Sequence, residues 1–323
     1  MIRIGIVGCG RIAPRHVDAI GKTEGLEPVA ACDIVQDRAH ELADPLGLPV
    51  YNRMEDMLGD TEMDAVVVAT PSGMHAQQGI EAARAGKHVI LEKPMCTRME
   101  DADALIRACD DARSRLFVVK QNRLNPPIKL LKRAIDKGRF GRLYMCNTTV
   151  FWTRPQAYYD SAKWRGTWEF DGGCFMNQAS HYIDLMQWLM GPAESIVCNT
   201  ATLARNIETE DTGAAVVRFR SGALGVVQVT VLAYPRNLEG SITVLGEKGS
   251  VKIGGVAVNS VETWKFDEYD DDDREMEEAS YSTNSVYGPG HVGYYEGVAE
   301  VLHGKGEPQT DGRDGRKSLE LIM

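Results

Sequence analysis

The stretch Ile2–Val7 runs directly into the segment Gly8-Cys-Gly-Arg-Ile-Ala13. The first part is a run of apolar and β-branched residues, which is typical of a strand covered on both faces. Gly8 permits a tight turn, Gly10 leaves room for a ligand against the backbone, and Ala13 permits close packing of a following helix. The order strand, glycine loop, helix therefore predicts a phosphate-binding loop at the start of an α/β domain.

The same alternation of apolar runs and helical patterns continues for about 120 residues. Further strands are predicted at Leu26–Cys32, Ala65–Ala69, His88–Leu91 and Leu116–Val119. Helices are predicted at Ile12–Ile20, Asp37–Leu46, Met74–Ala85 and Met99–Ala112. Strand–helix alternation predicts a doubly wound parallel sheet, so residues 1–121 are expected to form a Rossmann domain that binds a dinucleotide.

The nature of that dinucleotide is indicated by the end of the second predicted strand. Asp33 stands twenty residues after Ala13. A carboxylate at this place accepts hydrogen bonds from ribose hydroxyls and repels the 2′-phosphate of NADP. Ile34 and Val35 follow, and neither could bind that phosphate as an arginine does. We therefore expect NAD as the cofactor.

The second part of the chain predicts a different architecture. Strands are expected at Leu143–Trp152, Ser195–Thr202, Thr212–Phe219, Ala223–Thr230, Ser241–Leu245 and Ser250–Ile253. Glycine-containing turns separate several of them, which indicates one open, mostly antiparallel sheet. Residues 122–323 are thus expected to form an α+β domain for substrate binding and oligomerisation, with a C-terminal helix from Gly312 that packs on the first domain.

Two polar groups interrupt otherwise apolar segments. Glu92-Lys93-Pro94 follows the strand His88–Leu91, where the carboxyl edge of an open α/β sheet binds ligands. Asn177, His181 and Asp184 have the spacing i, i+4 and i+7, which predicts one face of a helix that continues to Met190.

Together, the glycine loop, Glu92-Lys93-Pro94 and the segment from Asp171-Gly-Gly to His181 resemble the Gfo/Idh/MocA oxidoreductase family. The resemblance covers essentially the whole chain and implies an NAD-dependent dehydrogenase that acts on a CH–OH group of a sugar. It implies a catalytic set of Lys93, His181, Asn177 and Asp184. The implied cofactor set is Gly8, Gly10, Arg11, Ile12, Asp33, Thr70, Pro71, Ser72, His75, Glu92, Lys93, Gln121, Trp164 and Arg165. Family members usually carry Asp where this chain has Asn177, and an amide cannot take a proton.

The proton acceptor is left open between two residues. His181 is a general base of the usual kind, and Lys93 would stabilise the developing charge on the hydroxyl oxygen. A cationic nicotinamide would oppose a protonated Lys93, so Lys93 itself is the alternative base. Asp184 either orients His181 or has a structural role. This chemistry requires Lys93 and His181, from different domains, to meet at the reactive ring.

Within the family, several segments are most similar to UDP-N-acetylglucosaminuronate 3-dehydrogenases of bacterial surface polysaccharide (O-antigen, lipopolysaccharide) synthesis. They include Gly10–His16, Tyr159–Trp168, Met176–Gln178, Ile207–Asp211 and Ser285–His291. The resemblance implies a UDP-sugar acid that is oxidised at carbon 3, and dimers or tetramers formed through the C-terminal sheet. The expected substrate-binding residues are Lys93, Arg123, Tyr159, Lys163, Asn177 and His181. The alternatives are an inositol or simple-sugar dehydrogenase and a non-catalytic NAD-sensing regulator.

Composition excludes several other classes. The net charge of −10 argues against nucleic-acid binding, and no apolar run is long enough to span a membrane. The first residues do not have the pattern of a signal peptide, so we expect a cytoplasmic protein. The seven cysteines include no C-x-x-C pair, which predicts neither disulfides nor a metal site. The acidic run Asp267–Glu278 is expected to form a solvated loop or hairpin tip.

Overall fold

The computed structural model describes residues 1–283 and 286–323. These residues divide into two units. Unit 1 comprises Met1–Lys120, His291–Leu321 and Met323, and unit 2 comprises Gln121–Gly290 and Ile322. The sequence predicted a boundary after residue 121. It predicted that the chain rejoins the first unit only at the C-terminal helix from Gly312, whereas the structure places His291–Leu321 in unit 1.

Unit 1 is built on a six-stranded parallel sheet. Its strands are β1 (Ile2–Val7), β2 (Leu26–Cys32), β3 (Val50–Tyr51), β4 (Ala65–Val68), β5 (His88–Leu91) and β6 (Leu116–Val118), in the order β3-β2-β1-β4-β5-β6. Its helices are α1 (Ala13–Lys22), α2 (Gln36–Ala43), α3 (Met54–Asp60), α4 (His75–Arg84), α5 (Met99–Asp111), α11 (His291–Leu302) and α12 (Gly312–Ile322). The predicted Rossmann fold is confirmed, because the strand order reverses between β1 and β4.

The core of this sheet explains why the strands read as unbroken apolar runs. All four residues of β4, and the last three of β5, are buried, so helices cover both faces. The short strand β3, with only two half-buried residues, carried no pattern that predicted it. At the other edge, Thr310 accepts a backbone hydrogen bond from Val118, and α12 follows directly.

Unit 2 is built on a seven-stranded sheet. Its strands are β7 (Leu143–Phe151), β8 (Ala193–Ala201), β9 (Thr212–Phe219), β10 (Leu224–Thr230), β11 (Glu239–Gly246), β12 (Gly249–Gly254) and β13 (Ser260–Phe266). Its helices are α6 (Pro126–Asp136), α7 (Gln156–Asp160), α8 (Gly173–Met176), α9 (Ser180–Met190) and α10 (Met276–Ala279). The order is β13-β12-β11-β7-β10-β9-β8, and every pair except β7–β10 is antiparallel. The predicted mostly antiparallel α+β domain is therefore confirmed, with β13 as an additional strand.

The two faces of this sheet differ in burial. Strand β9 alternates between buried and exposed side chains, and most of β8 is exposed. Val197 and Val216 are 71% and 52% exposed, whereas Val217 is fully buried. One face thus covers the domain core, and the other presents apolar side chains outward.

The acidic run corrects one prediction. Most of the run is exposed, as predicted, but it is not an irregular loop, because Asp271–Arg274 form a 3-10 turn and α10 follows it. Arg139 binds both carboxylate oxygens of Asp273 at 2.7 and 2.9 Å, and Lys137 contacts Asp270 at 2.7 Å. The prediction considered only repulsion within the run, whereas cations near the end of α6 offset its charge.

Candidate active site

The glycine loop of unit 1 has the geometry that a dinucleotide needs. Gly8 has a φ of +90°, and a Cβ there would lie 2.7 Å from the carbonyl carbon of Ala69. A Cβ at Gly10 would meet nothing within 4 Å, so open space lies beside the backbone next to α1. Both positions favour glycine, the first for conformation and the second for access of a diphosphate.

Asp33 is held in place by this loop. Its Oδ2 accepts a hydrogen bond from the backbone N–H of Cys9 at 2.8 Å, and its Oδ1 accepts one from Val35 at 2.8 Å. The residue remains partly exposed, and Ile34 beside it is 86% exposed. A fixed carboxylate next to an open glycine loop fits the adenosine ribose of NAD.

His75 connects the two segments that follow β4 and β5. Its Nδ1 lies 2.8 Å from the carbonyl oxygen of Pro94, and its Nε2 lies 2.8 Å from that of Thr70. The ring is buried, and burial lowers its pKa. The expected cofactor residues Thr70, Pro71 and Ser72 are thereby tied to the Glu92-Lys93-Pro94 turn.

Glu92 and Lys93 differ sharply in exposure. Glu92 is only 6% exposed, while Lys93 is partly exposed. One oxygen of Glu92 lies 3.0 Å from Nε2 of His16, and the other accepts a hydrogen bond from the backbone N–H of Lys93 at 3.0 Å. His16 in turn lies 2.7 Å from the hydroxyl of Tyr295. Sequence reasoning missed His16 and Tyr295 as partners of Glu92, because local spacing gives no signal for contacts between distant segments.

In unit 2, the predicted continuous helix from Asn177 to Met190 is wrong. Helix α8 ends at Met176, Asn177 and Gln178 form a turn, and α9 begins at Ser180. The glycines before α8 explain the local path, since Gly173 has a φ of +94° and a Cβ there would collide with the carboxylate of the buried Glu210. Glu210 itself accepts a hydrogen bond from the backbone N–H of Phe175. Asn177 therefore does not share a helical face with His181 and Asp184.

Asn177 is instead oriented by an acid that sequence reasoning did not assign. Its Nδ2 donates a hydrogen bond to Oδ1 of Asp171, whose Oδ2 accepts one from the backbone N–H of Gly166 at 2.7 Å. Asp171 is 1% exposed and Asn177 is partly exposed. The amide nitrogen of Asn177 is thus held by Asp171, and the carbonyl oxygen of an asparagine is a group that accepts hydrogen bonds from hydroxyls.

His181 and Asp184 contact the segment Gln121–Leu124. The amide nitrogen of Gln121 lies 3.2 Å from Nε2 of His181, and both residues are buried. Arg123 donates to both oxygens of Asp184 at 2.8 Å each. An amide nitrogen can only donate, so the lone pair of Nε2 accepts this hydrogen bond and the ring proton of the neutral imidazole lies on Nδ1.

The remaining candidates lie in the segment after α7. The Arg165 guanidinium stacks on the rings of Trp164 and Tyr158, with its central carbon 4.4 and 4.2 Å from their centroids. Tyr159 is buried, which raises its pKa, and Lys163 is exposed. The roles of Tyr159, Lys163, Trp164 and Arg165 in cofactor or substrate binding stay predictions. The same holds for Arg11 and Ile12 beside Gly10.

The family models match both units. Residues 2–120 match the NAD-binding Rossmann fold of the Gfo/Idh/MocA oxidoreductase family, and residues 132–323 match its C-terminal alpha/beta domain. The chain belongs to the Gfo/Idh/MocA oxidoreductase family. It is an oxidoreductase with NAD as its cofactor, as the glycine loop and Asp33 predicted.

Solved structures give a more specific similarity. The WlbA dehydrogenase from Bordetella pertussis, in complex with NADH and UDP-GlcNAcA, is 55% identical with a TM-score of 0.96, and the match covers 99% of this chain and 93% of that one. The WlbA dehydrogenase from Chromobacterium violaceum, with the same ligands, is 53% identical with a TM-score of 0.94, covering 99% and 91%. Myo-inositol 2-dehydrogenase from Thermotoga maritima is 28% identical over 80% of this chain and 77% of its own.

Three further observations concern the described residues. None of the helices in residues 1–283 and 286–323 is long and apolar enough to cross a bilayer. The same residues contain no group of three or more His, Cys, Asp or Glu side chains that could hold a metal ion. Of the seven free cysteines, only Cys198 is exposed.

Proposed function

We propose that this member of the family oxidises carbon 3 of UDP-N-acetylglucosaminuronic acid to the 3-keto sugar. The observation that carries the proposal is the similarity to two WlbA dehydrogenases over nearly the whole chain, at more than half identity, where the inositol dehydrogenase relative reaches 28%. Each of these two matches covers 99% of this chain, whereas the match to the inositol dehydrogenase covers 80%.

Each catalytic side chain has a distinct task. Bound NAD supplies the hydride acceptor for the carbon-bound hydrogen. Lys93 donates a hydrogen bond to the hydroxyl oxygen and stabilises the negative charge that develops there. His181 takes the hydroxyl proton on Nε2, where the substrate hydroxyl replaces the Gln121 amide as the hydrogen-bond donor. The Asn177 carbonyl oxygen accepts from a neighbouring hydroxyl and fixes the sugar ring.

The substrate carries a diphosphate and a carboxylate, so an acidic chain needs local cations. Lys163 is the proposed anion ligand, and Tyr159 lies on α7 four residues before it. Arg123 was also expected to bind an anion, but its guanidinium binds both oxygens of the buried Asp184, so we assign it a structural role. Trp164 and Arg165 are proposed to serve the cofactor, because the stacked guanidinium is held rigidly by two aromatic rings.

The test is a spectrophotometric screen at the NADH band. Purified protein with NAD is offered UDP-sugar acids, UDP-sugars, free sugars and inositols. We expect turnover with UDP-N-acetylglucosaminuronic acid, and loss of at least about 100-fold in the Lys93→Met and His181→Asn variants. Turnover with inositol alone, and no rise of Tm with UDP, would favour the simple-sugar alternative. Absence of NADH formation in a single turnover with every sugar would favour the regulator.

We further propose that the enzyme works in the cytoplasm, in bacterial lipopolysaccharide synthesis, and that it is a homotetramer. The exposed apolar side chains of β8 and β9 support assembly through the outer face of the unit 2 sheet. Sedimentation of a Val197→Lys, Val216→Lys double variant tests this: we expect a smaller particle, and an unchanged mass would contradict the interface.

A further inference from the structure

A buried chain of hydrogen bonds lies directly behind Lys93 in unit 1. Tyr295 Oη lies 2.7 Å from Nδ1 of His16, Nε2 of His16 lies 3.0 Å from one oxygen of Glu92, and the other oxygen of Glu92 accepts from the backbone N–H of Lys93 at 3.0 Å. Tyr295 and His16 are 0% exposed and Glu92 is 6% exposed. These hydrogen bonds thus link Tyr295 of α11, through His16 of α1, to the turn that carries Lys93.

The direction of each hydrogen bond follows from the groups. Burial raises the pKa of Tyr295 well above its usual value, so its hydroxyl keeps its proton and donates to Nδ1 of His16. The ring proton of His16 then resides on Nε2 and is donated to Glu92. The carboxylate receives one hydrogen bond on each oxygen, which fixes its plane and its distance from the lysine backbone.

The charge of Glu92 is maintained despite its surroundings. Burial alone would raise the pKa of Glu92, but the hydrogen bond from His16 and the positive charge of Lys93 outweigh it and bring the pKa to about 2. An ionised carboxylate without such partners would be strongly destabilised in this position. These contacts therefore keep Glu92, the residue directly before Lys93, negatively charged.

We propose that His16 and Tyr295 are positioning residues for Lys93, acting through Glu92. By holding the carboxylate charged and oriented, they fix the backbone of the lysine and keep its amine in the cationic form that can donate to a hydroxyl oxygen. The proposal rests on the role of Lys93 in the proposed function. Neither the glycine loop nor the Glu-Lys-Pro turn by itself indicates a role for His16 or Tyr295.

Other titratable groups lie near Tyr295, His16 and Glu92 and must be considered in a pH experiment. They are Arg15 of α1, His75 of α4, and His291 and Tyr294 of α11. Burial lowers the pKa of His75 and brings that of His291 to about 4, and it raises that of Tyr294. These groups therefore keep one protonation state between pH 7 and 10, where the alkaline limb of kcat is measured.

The experiment compares two amide replacements of one ring. The amide nitrogen of His16→Gln can take the place of Nε2 and donate to Glu92, whereas that of His16→Asn takes the place of Nδ1 and cannot reach it. We expect kcat of H16N to fall by about 10-fold or more, with its alkaline limb at lower pH and KM for NAD within about threefold. H16Q should recover most of both properties. The same two substitutions at the exposed His40 should leave both kcat and its alkaline limb unchanged.

Tyr295→Phe retains the ring and removes only the hydroxyl, so it decides the question if H16N does not fold. We expect a fall of about threefold in kcat and a smaller displacement of the alkaline limb in the same direction. A wild-type limb in H16N or Y295F, or equal losses in H16N and H16Q, would overturn the proposal. Full turnover in Lys93→Met would instead overturn the proposed function itself, which separates the two failures.

Discussion

Arg123 binds Asp184 through two parallel hydrogen bonds of 2.8 Å, and the two side chains are 8% and 1% exposed. A bidentate pair of this kind is geometrically specific, and almost no water reaches it. Because Gln121 contacts His181 one turn earlier on α9, the segment Gln121–Leu124 holds this helix at two points. The arrangement favours a structural role for Asp184 over direct orientation of the imidazole.

The first prediction concerns this pair. Replacing Arg123 by Met leaves the buried Asp184 charge without its partner, so we expect the free energy of unfolding to fall by about 3–5 kcal/mol. An Arg123→Met, Asp184→Leu double variant should recover most of that loss, since no buried charge remains. Urea unfolding of the ligand-free protein measures both. If R123M unfolds like the wild type and only raises KM for the nucleotide sugar, Arg123 is a substrate ligand rather than a structural one.

The second prediction concerns cofactor choice. Asp33→Asn removes the charge that would repel a 2′-phosphate and weakens the acceptor for ribose hydroxyls. We expect kcat/KM for NAD to fall about 10-fold or more and the preference for NAD over NADP to shrink by a similar factor, since a hydrogen bond to a charged group contributes about 1.5–3 kcal/mol. Initial rates with both dinucleotides measure this ratio. Asp37→Asn, at an exposed acid in the first turn of α2, should leave the ratio unchanged.

The third prediction concerns stability in acid. Burial lowers the pKa of His291 from 6.5 to about 4, so the folded state disfavours its protonated form. The stability that this residue contributes is present above pH 6.5 and is lost as the pH falls toward 4, by at most about 3 kcal/mol. His291→Asn should therefore flatten the decline of the free energy of unfolding between pH 6.5 and 4. Glu92 acts in a separate window, because its stabilising effect is lost only between pH 4.5 and about 2.

Urea unfolding at pH 7, 5.5 and 4 provides the measurement for this variant. His40→Asn is the matched control, since His40 is exposed on α2 and should give the wild-type slope. A slope for H291N as steep as that of the wild type would show that other groups, such as the buried His75, account for the acid sensitivity.

Most of the fold was predictable because its signals are local. Strands β1, β2 and β5 begin and end where the apolar runs do, and the parallel, doubly wound sheet follows from strand–helix alternation. The two-residue strand β3 was not predictable, because its residues are half-buried and too few to show a period. The ordered turn in the acidic run was not predicted for a related reason, since its partners Lys137 and Arg139 lie about 130 residues earlier in the chain.

In the candidate site, too, the features with a local sequence signal were predictable and the contacts between distant segments were not. Gly8, Gly10, Asp33 and Lys93 occupy ends of strands, where position alone indicates a ligand edge. The contacts that orient these residues, such as Tyr295 with His16, join segments 279 residues apart, and no local pattern encodes them. Helix spacing misled in one place, because the positive φ angles at Gly172 and Gly173 start a short helix that ends before Asn177.

The last prediction concerns Asn177, where the family resemblance and the structure lead to opposite expectations. Family members usually carry Asp at this position, so Asn177→Asp would be expected to restore a proton-transferring group. In this chain, however, Asn177 donates to the buried Asp171, and a second carboxylate would face the first. Like charges at hydrogen-bond distance cannot both ionise, so the pair would share a proton. We expect kcat/KM of N177D to fall about 10- to 100-fold at neutral pH, with partial recovery in acid.

The reciprocal change provides the decisive control. In an Asp171→Asn, Asn177→Asp double variant the donor and the acceptor are exchanged, so the hydrogen bond can form again and at least several-fold recovery over N177D is expected. Asn52→Asp, the same substitution at an exposed site in unit 1, should leave the kinetics unchanged. Equal or higher activity of N177D at pH 7 would mean that Asp171 does not constrain this position, and that the amide is not required for the chemistry of this enzyme.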